Sequence, residues 1–136
     1  MLVLPAALAR QIVAHCLDQV PLEACGLLGG QEQDGTGTVA LIWPATNEAE
    51  SARVYTVAPR DLLAADRAVE AAGGQLIGVW HSHTHTDAKP SATDIDAAAD
   101  PGWHYVLVSL RDSVPALRSW QIRDGKTEEE PVVLEW

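Results

Sequence analysis

The chain has 136 residues, 47% of them apolar, which is enough for one domain (1–136) with its own core and too hydrophobic for disorder. Nineteen acidic against nine basic residues give a net charge of −10, and no cluster of Lys and Arg offsets it, which disfavours a nucleic-acid partner. No apolar run can span a bilayer, no basic start with a signal-peptide core is present, and two cysteines are too few for a disulfide framework, so a cytoplasmic setting away from membranes is expected.

Pro5 to Val20 reads as an amphipathic helix, with Leu8, Ile12 and Cys16, flanked by Val13 and Leu17, forming one apolar stripe. Pro21 ends it. Glu23 leads into Cys25-Gly26-Leu27-Leu28-Gly29-Gly30, a small-residue strand that another backbone or a substrate can approach closely. Asp34-Gly35-Thr36-Gly37 is a hairpin turn, and Thr38 to Trp43 is the return strand. A polar connection, Pro44 to Arg53, precedes a short strand over Val54–Val57.

Pro59 to Ala72 forms a second helix carrying Leu62, Leu63, Ala65 and Val69, with Asp61 suited to its N-terminal dipole and Gly73-Gly74 ending it. Gln75-Leu76-Ile77-Gly78-Val79-Trp80 is a buried strand that continues into His81-Ser82-His83. After a polar loop, Ser91 opens a short helix that runs to about Ala99. His104 to Leu110 is a strand, Leu117 to Ile122 another, half-buried one, and Glu128-Glu129-Glu130 a solvated face. Pro131 to Trp136 adds a last edge strand. This order predicts an α/β fold, a mixed sheet with helices packed against it.

The chemistry concentrates between His81 and Asp94. Side chains alternate along a strand, so His81 and His83 face one way while Ser82 and Trp80 face the other. Asp94 falls in the first turn of the following helix, where a carboxylate is stabilised. Folded back over the strand end, it joins the two imidazoles in a set of two nitrogen donors and one oxygen donor. Structural zinc sites close with four ligands, whereas catalytic zinc keeps a position for water, so three ligands point to catalytic zinc. Each element has an ordinary explanation alone: Ser-x-x-Asp is a capping-box variant, and His-x-His can lie on a surface. The combined spacing favours metal.

A general base for such a site must be a carboxylate not consumed as a ligand, and Glu23 can serve. Cys25 raises a rival thiol nucleophile, but the nearby histidines are better explained as ligands. His85 reads as a solvated loop residue, and His15 as structural.

The spacing His81-x-His83, seven residues, Ser91, two residues, Asp94 matches the pattern of the JAMM (MPN-plus) metalloproteases without gap or substitution. That family pattern also calls for an upstream Glu, and Glu23 in Pro21–Leu28 fits its local context. The resemblance covers most of the chain. Within the family, Glu23-Ala24-Cys25-Gly26, His81-Ser82-His83-Thr84 and His104 to Ser109 most resemble the bacterial hydrolases that release cysteine from a sulfur-carrier protein.

The resemblance implies a JAMM/MPN domain, an αβα arrangement distantly like cytidine deaminases. It also implies one Zn²⁺ per chain on His81, His83 and Asp94, with Glu23 as proton shuttle and Ser91 as donor to the oxyanion. The implied substrate is a small ubiquitin-like sulfur carrier whose C-terminal Gly-Gly is joined to cysteine. Deaminase chemistry is disfavoured, because zinc deaminases use His-x-Glu and a Pro-Cys-x-x-Cys pair that this chain lacks. The alternatives are a family isopeptidase or peptidase acting on other ubiquitin-like conjugates, and a non-catalytic scaffold.

Overall fold

The computed structural model describes residues 1–136. Its elements are β1 (Leu2–Pro5), α1 (Ala6–Gln19), β2 (Cys25–Gln33), β3 (Thr36–Ala45), α2 (Pro59–Ala71), β4 (Gln75–His83), α3 (Ala92–Ala97), β5 (His104–Ser109), β6 (Ala116–Arg123), β7 (Lys126–Glu130) and β8 (Val132–Glu135). One eight-stranded mixed sheet runs in the order β7-β6-β5-β4-β2-β3-β1-β8. The pairs β4–β5, β1–β3 and β1–β8 are parallel, and the rest are antiparallel.

Strands β7 and β8 stand at opposite ends of that order, yet only Pro131 separates them in the chain. The sheet must therefore roll until its ends meet, and the Met1 ammonium ahead of β1, beside β8, reaches Glu130 at the end of β7 at 2.9 Å. The inner face and α1 enclose Leu2, Leu4, Ile12, Cys16, Leu28, Trp80, Val106 and Val108. The outer face, carrying Leu27, Val79, Tyr105, Leu107 and Trp120, is covered by α2 through Ala65 and by the connecting loops.

Alternation on β4 works as the sequence suggests. Trp80 is wholly buried in the inner core, and its indole lies across Gly26 so closely that a Cβ there would collide with it. His81 and His83 face the other way.

Some local expectations change. Val54–Val57 is not a strand, and its one ladder contact is the isolated bridge from Val57 to Asn47. Glu128 and Glu129 are exposed as expected, but they belong to β7, and Glu130 at its end is buried. The N-terminal residues Leu2–Pro5 form a strand between β3 and β8 that was not among the expected elements, and α3 ends at Ala97. On α1 Ile12 and Cys16 are buried with Ala6 and Ala9, and Leu8 and Val13 pack against the core as expected, while Leu17 points outward. The smaller alanines let α1 lie close to the strands.

Candidate functional site

The outer face of β4 and the start of α3 bring His81, His83 and Asp94 together, each buried, with one potential ligand atom apiece within 4.8 Å of the others. Asp94 is held in place from two sides. Ser91 and Asp94 form a reciprocal capping box, in which Ser91 Oγ accepts from the Asp94 amide at 3.1 Å and Asp94 Oδ2 accepts from the Ser91 amide at 2.9 Å. The same Oδ2 lies 3.0 Å from His83 Nε2 and 3.2 Å from His81 Nε2. Burial alone would raise the Asp94 carboxyl, but the two imidazoles beside it outweigh that and hold the group far below the usual carboxylate range.

Each imidazole is oriented differently. His83 places Nδ1 2.8 Å from the Asp87 carbonyl, so Nδ1–H donates there and Nε2 turns into the site. Burial lowers the His83 pKa, but Asp94 and that carbonyl more than compensate, and the net shift is upward. His81 has no such carbonyl. Tyr55 stacks on its ring, with centroids 4.2 Å apart and planes at 23°. Burial pushes the His81 pKa down, which keeps the imidazole neutral, the form that ligates metal.

Neither ring nitrogen of buried His81 has a hydrogen-bond partner; Nε2 is near Asp94 without bonding geometry. Such orphaned atoms are costly in a folded interior. Two imidazole nitrogens and one carboxylate oxygen facing a common point are a donor set that fits a divalent metal with an open coordination position.

Glu23 lies in the connection between α1 and β2, 3% exposed, with Oε1 buried and unpartnered. Burial lifts its carboxyl to about 7, His83 opposing the shift and Asp94 adding to it. It shares a cleft of about 330 Å³ with His83, Ser91, Arg53, Thr84, His85 and Thr86. Ser91 is exposed there. Its oxygen is engaged by the Asp94 amide, which leaves its O–H free to donate into the cleft. His85 is exposed and stands outside the three-residue cluster.

Cys25 pairs with His81 across β2 and β4 but is fully buried, and burial raises its thiol to about 12, with the charges of Asp61 and Glu23 adding to the effect. That state is the opposite of an activated thiolate.

Two supports have no signature in the sequence. Ser82, on the inner face, accepts from the Ala24 amide at 2.8 Å and so ties the residue after Glu23 to β4. Asn47, 4% exposed, organises the segment over the site. Its Nδ2 lies 3.0 Å from the Glu23 carbonyl, 3.0 Å from that of Val54 and 3.3 Å from that of Ser51. Its Oδ1 accepts from the amides of Ala49 and Thr56. One side chain thus clamps both flanks of Tyr55 and the backbone of Glu23. The only signal available was a lone Asn in a polar stretch.

Comparison with known proteins finds relatives over nearly the whole chain. A family model described as prokaryotic homologs of the JAB domain matches residues 5–123. A CysO-cysteine peptidase from Mycobacterium bovis is 42% identical over 133 residues, 97% of this chain and 90% of that protein. A desampylase from Haloferax volcanii is 39% identical over 90 residues, 65% of this chain and 63% of its own. The solution structure of protein DSY2949 from Desulfitobacterium hafniense superposes with a TM-score of 0.92 at 32% identity, covering 99% of this chain and 93% of that one.

Proposed function

The chain belongs to the prokaryotic JAB-domain family and is a metallohydrolase of the JAMM metallopeptidase type, and from that premise we propose the following reaction. As a single domain with one zinc ion per chain, it hydrolyses the amide bond between the C-terminal glycine of a small ubiquitin-like sulfur carrier and cysteine, releasing cysteine. The convergence of His81, His83 and Asp94 beside Glu23 is the observation that carries this reading. The relative named CysO-cysteine peptidase, alike over nearly the whole chain, supports the substrate. The buried, free thiols of Cys16 and Cys25 agree with a cytoplasmic setting.

His81, His83 and Asp94 would hold the zinc, which would supply Lewis acidity to the water and the scissile carbonyl. The other roles belong to the chain. Glu23 takes a proton from the attacking water as its oxygen joins the glycine carbonyl carbon. The C–N bond then breaks, and Glu23 returns the proton to the departing amine. Ser91 donates its O–H to the carbonyl oxygen as negative charge develops there, an effect worth ~3 kcal/mol in comparable sites. Glycines before the scissile bond let the tail approach without side-chain clashes.

The second reading within the family is an isopeptidase acting on other ubiquitin-like conjugates, and the relative named desampylase points that way. A chain of 136 residues offers scant surface for a second folded ubiquitin-like protein. Mass spectrometry of a carrier ending in Gly-Gly-Cys separates the two. Loss of the terminal cysteine alone, with lysine-linked diubiquitin cut slowly or not at all, is expected. Efficient diubiquitin cleavage beside an untouched cysteine adduct moves the choice to the isopeptidase.

A further inference from the structure

We propose that the Arg53 guanidinium binds the free α-carboxylate of the departing amino acid, which makes the enzyme selective for removing a C-terminal residue. The inference rests on the hydrolysis proposed above and specifies how its leaving group is recognised.

Cations are scarce in this chain, nine against nineteen acidic residues, yet Arg53 lines the cleft that holds Glu23, His83 and Ser91. Arg53 is exposed, and its guanidinium forms no ion pair with any carboxylate of the protein. Its backbone is nevertheless fixed relative to the base. The Arg53 amide donates to Ser51 Oγ at 3.0 Å, and the Ser51 carbonyl accepts from the Glu23 amide at 2.8 Å. Asn47 spans the same two residues, donating toward the carbonyls of both Glu23 and Ser51. The free cation is therefore carried on a segment clamped to Glu23.

Two other cations lie nearby and are worse placed. Arg111 is engaged by Asp87 at 2.9 Å and by Asp112 at 3.7 Å. Lys89 lines an adjoining cleft of about 410 Å³ that includes His83 and Ser91 but not Glu23. The departing amine receives its proton from Glu23, so the leaving group occupies the cleft that Glu23 lines. In an α-amino acid the carboxylate sits one carbon beyond that amine, within the same small cleft. An ion on His81, His83 and Asp94 would be taken up by those ligands and the scissile carbonyl, so a carboxylate beyond the amine, beside Glu23 and in a chain of net charge −10, gains from a cation of its own. Arg53 is the cation on that side, and guanidinium matches carboxylate geometry with paired N–H donors. A lysine side-chain amide places no carboxylate there, so the same residue disfavours isopeptide substrates.

The test compares kcat/KM for a carrier ending in Gly-Gly-Cys as the free acid and as the C-terminal carboxamide, using wild type, Arg53→Gln and Lys89→Gln, each zinc-loaded. Wild type is expected to prefer the acid by about tenfold or more, the size of a charge-assisted hydrogen bond. Arg53→Gln erases that preference chiefly through KM for the acid, while its kcat/KM for the carboxamide stays near wild type. Lys89→Gln keeps the preference. Equal wild-type rates on acid and carboxamide, a preference that survives in Arg53→Gln, or its loss in Lys89→Gln would each overturn the assignment while leaving the hydrolysis itself standing. Cleavage of neither substrate by wild type overturns both the hydrolysis and the inference built on it.

Discussion

The side-chain amide of Asn47 donates to the main-chain carbonyl of Glu23 at 3.0 Å, while the same side chain bonds the residues on either side of Tyr55, which stacks on His81. The base and one imidazole thus share a single buried anchor. Asn47→Ala leaves several buried backbone groups unpaired and is expected to lower stability by about 2–3 kcal/mol. Hydrolysis should fall further than the unfolded fraction explains, because Glu23 and Tyr55 lose their common tie. Asn47→Asp keeps the acceptor bonds to Ala49 and Thr56 but sets a buried carboxylate oxygen against the carbonyls of Glu23, Ser51 and Val54, and should be at least as damaging. Urea unfolding beside steady-state kinetics checks both; an Asn47→Ala protein with unchanged kcat would contradict this role.

Glu23 should set the acid limb of the pH profile. Burial lifts its carboxyl from 4.5 to about 7, with His83 opposing and Asp94 adding. A cation on His81, His83 and Asp94 acts the other way, favouring the carboxylate. A general base works deprotonated, so activity falls as pH drops through this group. The acid limb of kcat/KM is expected between 4.5 and about 7. Glu23→Gln keeps the metal but loses hydrolysis by ~10²–10⁴. Activity within a few-fold of wild type would remove Glu23 from the role of base.

The clustering of His81, His83 and Asp94 was more legible in the sequence than what supports it. Metal ligation demands particular side chains at particular spacings, so His81, His83 and Asp94 stand out along one strand and the next helix start. The expected strand at Val54–Val57 failed for a physical reason. Its residues have the right composition, but Asn47's side chain, rather than a neighbouring strand, satisfies much of its backbone. The three glutamates Glu128–Glu130 looked like a solvated face because nothing local marks Glu130 as different. Its partners are His104, 26 positions away in sequence, and the N-terminal ammonium of Met1, which the rolled sheet brings to it. Periodicity reports which face of an element is apolar; it does not report a polar contact made by closing a sheet.

Cys25→Ala should remain active. The thiol is buried and raised to about 12, so at neutral pH it is no nucleophile. A folded, metal-loaded Cys25→Ala protein that is wholly inactive would revive a thiol mechanism. Titration of activity with a thiol-directed reagent, with native fold monitored by near-ultraviolet circular dichroism, gives an independent check.

The seam of the roll should carry a pH-dependent share of stability. His104 lies between Glu130 and Glu32, 2.7 Å from each, and Gly37 packs so close that a Cβ there would come within 2.6 Å of the imidazole. Burial opposes the charge on His104, but the two carboxylates outweigh it and raise the pKa above 6.5. Its stabilisation is therefore complete below 6.5 and lost as pH rises through the raised value. Burial likewise opposes charge on Glu130, but His104, the N-terminal ammonium and Ser119 hold it below 4.5, so its share is complete above that and lost on acidification. His104→Gln should cost about 3 kcal/mol near pH 6 and less at pH 9. Urea midpoints across that range check the slope, and parallel curves for the two proteins would contradict it.

Metal content measured on the purified protein and its ligand variants tests the account most directly. After zinc-replete expression and removal of loosely held ions, wild type should retain about one zinc per chain, as three protein ligands with an open position require. His81→Ala, His83→Ala and Asp94→Ala should each lose it while remaining folded, because the inner core beneath Trp80 does not depend on the site. Folded wild type that binds no zinc, or ligand variants that retain it at full occupancy, would contradict the assignment of this centre.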